Sequence, residues 1–166
     1  MAQSDSSLAV TDLLDTPLTT TLRMFRSADM ERFFSAGAEE FRTPMRLDRL
    51  RAEELVEAAN LRGLGVFRLD GAQMTNQANL FREFKIKLQF PQYFGENWNA
   101  LDECLADLDW LDWGGYLLVI ESGDSILRDE DMGVREMLGE LLEDLSGEWS
   151  DSDPPVIFRT VLVVDG

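Results

Sequence analysis

The sequence predicts an α/β fold in which a small three-stranded parallel sheet is flanked by helices. Three short apolar runs, near residues 66–69, 116–121 and 156–164, have the composition of strands. The segments between them carry apolar residues at helical spacing, so the order is strand, helix, helix, strand, helix, strand. Strands separated by helices pair in parallel, because each helix returns the chain to the end of the sheet where it began.

Length and composition predict how the chain is divided. A length of 166 residues suits one domain with an appendage. We predict an N-terminal extension over residues 1–45 and an α/β domain over residues 46–166, whose core is residues 64–166. Residues 1–15 are rich in Ser, Asp and Thr, and we expect the extension to be partly disordered.

Apolar residues predict helical and extended structure in the rest of the extension. Met30, Phe33 and Phe34 fit one face of a short helix, and residues 39–44 are expected to form a short strand or an extended arm. The aromatic side chains here are expected to pack against something. Beyond the extension, at the start of the α/β domain, a further helix is predicted over residues 51–61.

Two later helices are predicted by wide apolar stripes. The first begins at Thr75 or Asn76, and its inward residues are Leu80, Phe81, Phe84 and Leu88. The second follows an acidic segment at 129–131 and is expected to end near Gly147. Its inward residues are Val134, Met137, Leu138, Leu141, Leu142 and Leu145.

The stretch at residues 90–108 lies between these helices. Pro91 ends the preceding helix, and Asn97 suits the N-cap of the next one. Gly95 is expected to adopt a backbone conformation that is costly for other residues. The inward face of the next helix consists of Trp98, Leu101, Cys104, Leu105 and Leu108. The outer face is small, polar and acidic, and consists of Asn99, Asp102, Glu103, Ala106, Asp107 and Trp110.

Negative charge is concentrated in the central and late parts of the chain. The formal net charge is −17, yet residues 1–87 carry twelve basic and thirteen acidic residues. Residues 88–153 carry two basic and eighteen acidic residues, and no Lys or Arg occurs between Lys87 and Arg128. Such charge repels the phosphates of nucleic acids and anionic membranes, so we expect a basic protein as partner. A solvated face is the simpler explanation, but the adjoining aromatic loop favours an interface.

The residue types that most enzymes and metal sites need are missing. There is no His, and the single Cys104 faces inward, which excludes Ser-His-Asp, Cys-His and the usual zinc sites. No phosphate-binding glycine loop occurs, and the acids at 129–133 lack the spacing of a calcium loop. A carboxylate-pair hydrolase is left open, although no pair stands out. We expect a protein without catalysis, cofactor or metal.

Two features bear on location. Residues 1–15 contain acids and no Lys or Arg, so the basic part of a secretion signal is missing. The longest apolar run, residues 116–120, is too short to span a bilayer. We expect the protein in the cytoplasm.

The pattern Phe-Pro-x-Tyr-Phe-Gly-x-Asn-Trp-x-Ala-Leu-x-x-Cys-Leu at residues 90–105 resembles the barstar family, the inhibitors of barnase-type ribonucleases. The likeness extends from about residue 64 to residue 166. It implies a barstar-like fold and an inhibitor of the immunity or antitoxin type, whose partner is a basic, secreted or toxin ribonuclease. The 91–97 loop and the 98–108 helix would block the active site, where carboxylates replace RNA phosphates.

The resemblance also implies particular partner-binding residues. Carried over position by position, they are Tyr93, Gly95, Asn97, Asn99, Glu103 and Ala106, with Glu143 or Asp144 on the last long helix. Three further residues join them because of their place in the loop or on the outer helix face, namely Phe94, Asp102 and Asp107.

The sequence departs from the family pattern at three of these positions. Asn99 and Glu103 each replace an aspartate, and Asp102 replaces a tryptophan. Two alternatives therefore stay open. One is a binding module of the same fold for a different protein, to which the N-terminal segment could add a surface. The other is an acidic mimic of nucleic acid that captures DNA-binding proteins.

Overall fold

The computed structural model describes residues 27–165, so residues 1–15, for which disorder is predicted, lie outside the described part of the chain. The helices are α1 (Ser27–Phe33), α2 (Arg49–Leu61), α3 (Gln77–Lys87), α4 (Trp98–Asp107) and α5 (Met132–Ser150). The strands are β1 (Met45–Leu47), β2 (Gly65–Asp70), β3 (Gly115–Glu121) and β4 (Ile157–Val163).

The strands form one parallel sheet in the order β1-β4-β3-β2. The predicted α/β class, the parallel pairing and the flanking helices are confirmed. The prediction of three strands is wrong, because β1 adds a fourth strand along β4, where Met45 is paired with Val161. A three-residue strand that contains Arg46 has too short an apolar pattern to be recognised from sequence.

Side chains alternate between the two faces of β3, and each face has its own hydrophobic core. Leu118 and Ile120 belong to a first core, which includes side chains of α3, α4 and α5. Leu117 and Val119 belong to a second core, which includes side chains of α1 and α2. Helices α1 and α2 therefore cover one face of the sheet, and the helices that carry the predicted site cover the other.

A buried arginine joins the N-terminal residues to the sheet. Arg159 of β4 is 1% exposed. Its Nε donates to the main-chain oxygen of Phe33 at 2.8 Å, its Nη2 to that of Ser35 at 2.7 Å, and its Nη1 to the hydroxyl of Ser146 at 2.9 Å. Burial, helped by the charge of Arg42, lowers the pKa of Arg159 to about 10, so the guanidinium is still charged at neutral pH.

The helix starts predicted at Asn76 and Asn97 are confirmed, and so is the short helix predicted around Met30 and Phe33, but residues 39–44 differ from their prediction. Asn76 and Asn97 cap α3 and α4, and each accepts a main-chain N–H from three residues further on. Residues 39–44 do not form a strand. A single 3₁₀ turn over Glu39–Phe41 instead places Phe41 in the second core, and β1 begins after that turn.

Helix α5 departs from its prediction in two ways. It continues through Gly147 to Ser150, and the guanidinium of Arg42 lies against Gly147, where an added Cβ would stand 3.4 Å from Nη1. Met137, predicted to face inward, is 45% exposed, so the apolar stripe is narrower than its spacing indicates. The fully buried apolar side chains of the stripe are Leu138, Leu142 and Leu145.

Candidate protein-binding site

Aromatic packing holds the loop between α3 and α4 in place. The ring centroids of Phe90 and Phe94 lie 4.8 Å apart, edge to face, and Phe94 also meets Phe81 at 6.5 Å. The N–H of Phe94 donates to the oxygen of Pro91 at 3.1 Å, which closes a turn. Phe94, predicted to bind a partner, is thus a core residue, whereas Tyr93 beside it is 74% exposed.

Gly95 has little room for a side chain and does not adopt an unusual backbone angle. The positive φ in this loop belongs to Glu96, at 52°, so the predicted conformational role of Gly95 is wrong. A Cβ on Gly95 would lie 3.1 Å from Nδ2 of Asn97. That Nδ2 donates to the oxygen of Gly95 at 3.3 Å, while Oδ1 accepts the N–H of Ala100 at 2.8 Å. The Asn97 side chain therefore closes the loop and starts α4 at once.

Helix α4 has the predicted orientation. Its inward side chains are buried at Leu101, Cys104 and Leu105. Trp98, predicted to face inward, is half-buried, and its Nε1 donates to Oε1 of Gln77 at 2.7 Å. The outer face is exposed at Asn99, Asp102, Glu103, Ala106 and Asp107.

Trp110 lies beyond the end of α4 and turns inward, so its predicted place on the outer face is wrong. Leu108 ends the helix in the left-handed region, with a φ of 49°, and the chain then changes direction. As a result, the ring centroid of Trp110 lies 5.9 Å from that of Phe90. Its Nε1 donates to the main-chain oxygen of Leu88 at 2.9 Å.

A cleft of about 140 Å³ lies between the loop and α4. Its lining residues are Tyr93, Phe94, Ala100, Glu103, Cys104 and Asp107. Burial raises the pKa of the Cys104 thiol, and the charges of Asp107 and Glu103 raise it further. The thiol is therefore protonated at neutral pH, and it lines the cleft without being a nucleophile.

Negative charges around the cleft contribute to a raised pKa of the exposed Tyr93 phenol. The pKa of Tyr93 is raised, first by loss of water contact and then by the groups around it, which are Cys104, Asp107, Asp109 and Glu103. Tyr93 is consequently a neutral hydrogen-bond donor beside several carboxylates. Such a surface presents an aromatic ring and acceptor oxygens together, a combination that is common in protein interfaces.

A second set of carboxylates lies where α4 and α5 meet and consists of Asp102, Asp144 and Glu148. We name this set the acidic seam. Burial raises the pKa of Asp102, and Asp144 and Glu103 raise it further. The pKa of Glu148 is raised by burial, by Asp102 and by Asp144. Of the two candidates on the last helix, Asp144 is the one whose charge acts on α4, and Glu143 is exposed on the same helix.

The carboxylates of this surface have no basic partner within the part of the chain that the structure describes. Among residues 27–165, no salt bridge involves an acid of residues 102–112, of residues 143–144 or at Glu148. Elsewhere acids are paired, as where Arg68 binds Glu53 at 2.8 Å and Glu121 at 3.2 Å. The sequence indicates the acidic run, but it does not show that Glu148 adjoins it, because the two are joined only by helix packing.

Comparison with protein families matches residues 64–162 to the family described as barstar (barnase inhibitor), which is more than half of the chain. The chain belongs to the barstar family. The barstar match spans β2, β3 and most of β4 together with α3, α4 and α5, and it leaves β1, α1 and α2 outside. No curated protein matches the chain. Within the described residues, no helix has the length and apolar character needed to cross a membrane.

Proposed function

We propose that this protein inhibits a ribonuclease of the barnase type by covering the ribonuclease active site with the 91–97 loop and the outer face of α4. The observation that carries the proposal is the cleft beside Tyr93, which is lined by the carboxylates of Glu103 and Asp107; neither is in a salt bridge among residues 27–165. Membership of a family of barnase inhibitors supports it. The proposed action involves no catalysis and takes place in the cytoplasm.

The proposed contact replaces RNA phosphates by carboxylates. A ribonuclease binds phosphate with Arg and Lys side chains, and the same cations form charge-assisted hydrogen bonds with Asp and Glu. Glu103 is exposed on α4 and lines the cleft with Asp107, so we propose it as the anchor. Asn99 lies one helical turn earlier on the same face and adds an amide without charge.

Charge is proposed to guide the encounter as well as the bound state. The net charge of −17 and the exposed acids of α4 attract a basic surface over a distance that salt shortens. The barnase–barstar pair is itself the reference case for this behaviour. We therefore propose a basic ribonuclease as partner, and we expect association to slow as ionic strength rises.

A second proposal, a binding module for a different protein, is favoured by the three departures at Asn99, Asp102 and Glu103. They alter charge and size on the outer face of α4 without altering the buried face. Under either proposal the outer face of α4 stays exposed, because α1 and α2 pack against the other face of the sheet. The loop and α4 would bind the partner in both cases.

The proposal is tested by RNA cleavage by barnase at two salt concentrations. Wild-type protein should inhibit cleavage, and Glu103→Gln should raise the inhibition constant roughly tenfold or more, because the partner's cations lose a charged acceptor. Glu57→Gln is the matched control, since Glu57 is an exposed acid on α2 at the other face of the sheet. Uninhibited cleavage by barnase, together with capture of an unrelated basic protein through Glu103, would favour the second proposal.

A further inference from the structure

The loop after α4, residues 109–114, is joined to the loop that carries Tyr93. Trp110 contacts Phe90 and donates to the oxygen of Leu88, so the two loops are tied by a ring contact and a hydrogen bond. Asp109 is exposed, and its charge raises the pKa of Tyr93, which places the carboxylate within electrostatic reach of the phenol. The two loops are therefore adjacent in the fold.

Trp113 is the most exposed of the four tryptophans, at 51%. Its ring is seated against β2, where a Cβ added to Gly65 would lie 2.7 Å from the ring atoms Cδ1 and Cγ. The indole N–H groups of the other three donate within the protein, namely those of Trp98, Trp110 and Trp149. Within residues 27–165, the indole N–H of Trp113 has no acceptor. A ring that is held in place and half-exposed loses little freedom on binding.

The charged residues in the loop of Trp113 indicate which chemical group of a partner would bind to its ring. Asp109 and Asp112 are exposed in the same loop, and no Lys or Arg occurs between Lys87 and Arg128. An indole face attracts a guanidinium or ammonium group through its quadrupole, and a nearby carboxylate strengthens that attraction. Tryptophans at interfaces are also among the residues that most often dominate binding energy.

We infer that Trp113 is a second anchor of the ribonuclease interface, at which an Arg or Lys side chain of the partner stacks on the indole and contacts Asp112 or Asp109. The inference rests on the proposed function and extends its contact surface beyond α4 and the 91–97 loop. A basic ribonuclease is the expected occupant because the charged residues of the loop that carries Trp113, Asp109 and Asp112, are both acidic.

Calorimetric titration of the full chain with barnase tests this second anchor. Trp113→Ala should raise Kd about tenfold, and Trp113→Phe by a smaller factor, because phenylalanine keeps a weaker π face. Asp112→Asn should raise Kd about threefold. Leu50→Ala is the matched control, since Leu50 is an exposed apolar residue of α2 on the other face of the sheet, and it should leave Kd unchanged. Melting curves of each variant identify any change in Kd that comes from unfolding.

Three results would overturn the inference. Unchanged Kd for folded Trp113→Phe and Trp113→Ala, while Glu103→Gln weakens binding, removes Trp113 from the interface and leaves the proposed function standing. Absence of any binding by wild-type protein overturns both. A dimer in sedimentation experiments that Trp113→Ala converts to monomer would show that a second copy of the chain covers the ring.

Discussion

The Nε of Arg159 donates a hydrogen bond to the main-chain oxygen of Phe33 at 2.8 Å, and this contact fastens the first described helix to the last strand. Phe33 is buried in the second core, which lies on the opposite face of the sheet from α4. Helix α1 lies outside the residues that match the barstar family. The N-terminal layer is thus held to the family fold by a buried charge and by apolar packing.

Arg159→Met should lower the free energy of unfolding by about 2–4 kcal/mol, because buried main-chain oxygens of residues 33–38 lose their donors while the bulk of the side chain is kept. Urea denaturation at neutral pH measures the loss. Arg82→Met is the control, since Arg82 is exposed and bonds only to Asn79 among the described residues, and it should change stability by less than about 0.5 kcal/mol. Equal losses for both variants would contradict the anchoring role of Arg159.

Asn97→Ala should cost about 1 kcal/mol of stability, because α4 loses the side chain that accepts the N–H of Ala100. It should also weaken inhibition of barnase, since the same side chain holds the loop beside Tyr93 through the oxygen of Gly95. Asn99→Ala is the control for the loss of stability, because Asn99 is exposed inside α4 and does not cap the helix. That variant should melt like wild type, and a shared loss of stability would mean that capping is not the cause.

Asp102→Asn should stabilise the free protein at neutral pH. Burial, Asp144 and Glu103 raise the pKa of Asp102 in the folded state, so the folded state takes up a proton more readily than the unfolded chain. An aspartate in the unfolded chain has a pKa of about 3.9. The stability of the wild type therefore falls as pH rises above that value and through the higher pKa that Asp102 has in the folded state. Asp102→Asn lacks this charge, so it should be more stable than the wild type above that pH range and equally stable near pH 3.

Thermal melts of Asp102→Asn and wild type at several pH values measure this effect. Glu57→Gln, which removes an exposed charge far from the acidic seam, should shift the melting temperature equally little at each pH. A variant at Asp102 that melts below wild type at neutral pH would show that the carboxylate stabilises the fold. The same variant should bind barnase more weakly if the seam contributes to the interface.

Local spacing was enough to predict the helices and the site-bearing face of α4. Leu101 and Leu105 are buried as predicted, because a repeat of 3.6 residues is a property of the helix itself. Asn76 and Asn97 cap their helices as predicted, since a cap needs only an acceptor within one turn. The apolar runs likewise indicated three of the four strands and their parallel direction.

By itself the sequence determined the class of the fold, the buried face of α4, the helix caps and the family, because each depends on residues close together in the chain. Only the tertiary structure decided that Met45–Leu47 is a strand, since three residues hold an extended form only where β4 offers hydrogen-bond partners. It also decided that Phe94 is buried, through contact with Phe81 of α3, and that Asp144 of α5 acts on Asp102. Pairing, burial and charge coupling between distant segments arise when the elements pack together, and no local spacing encodes them.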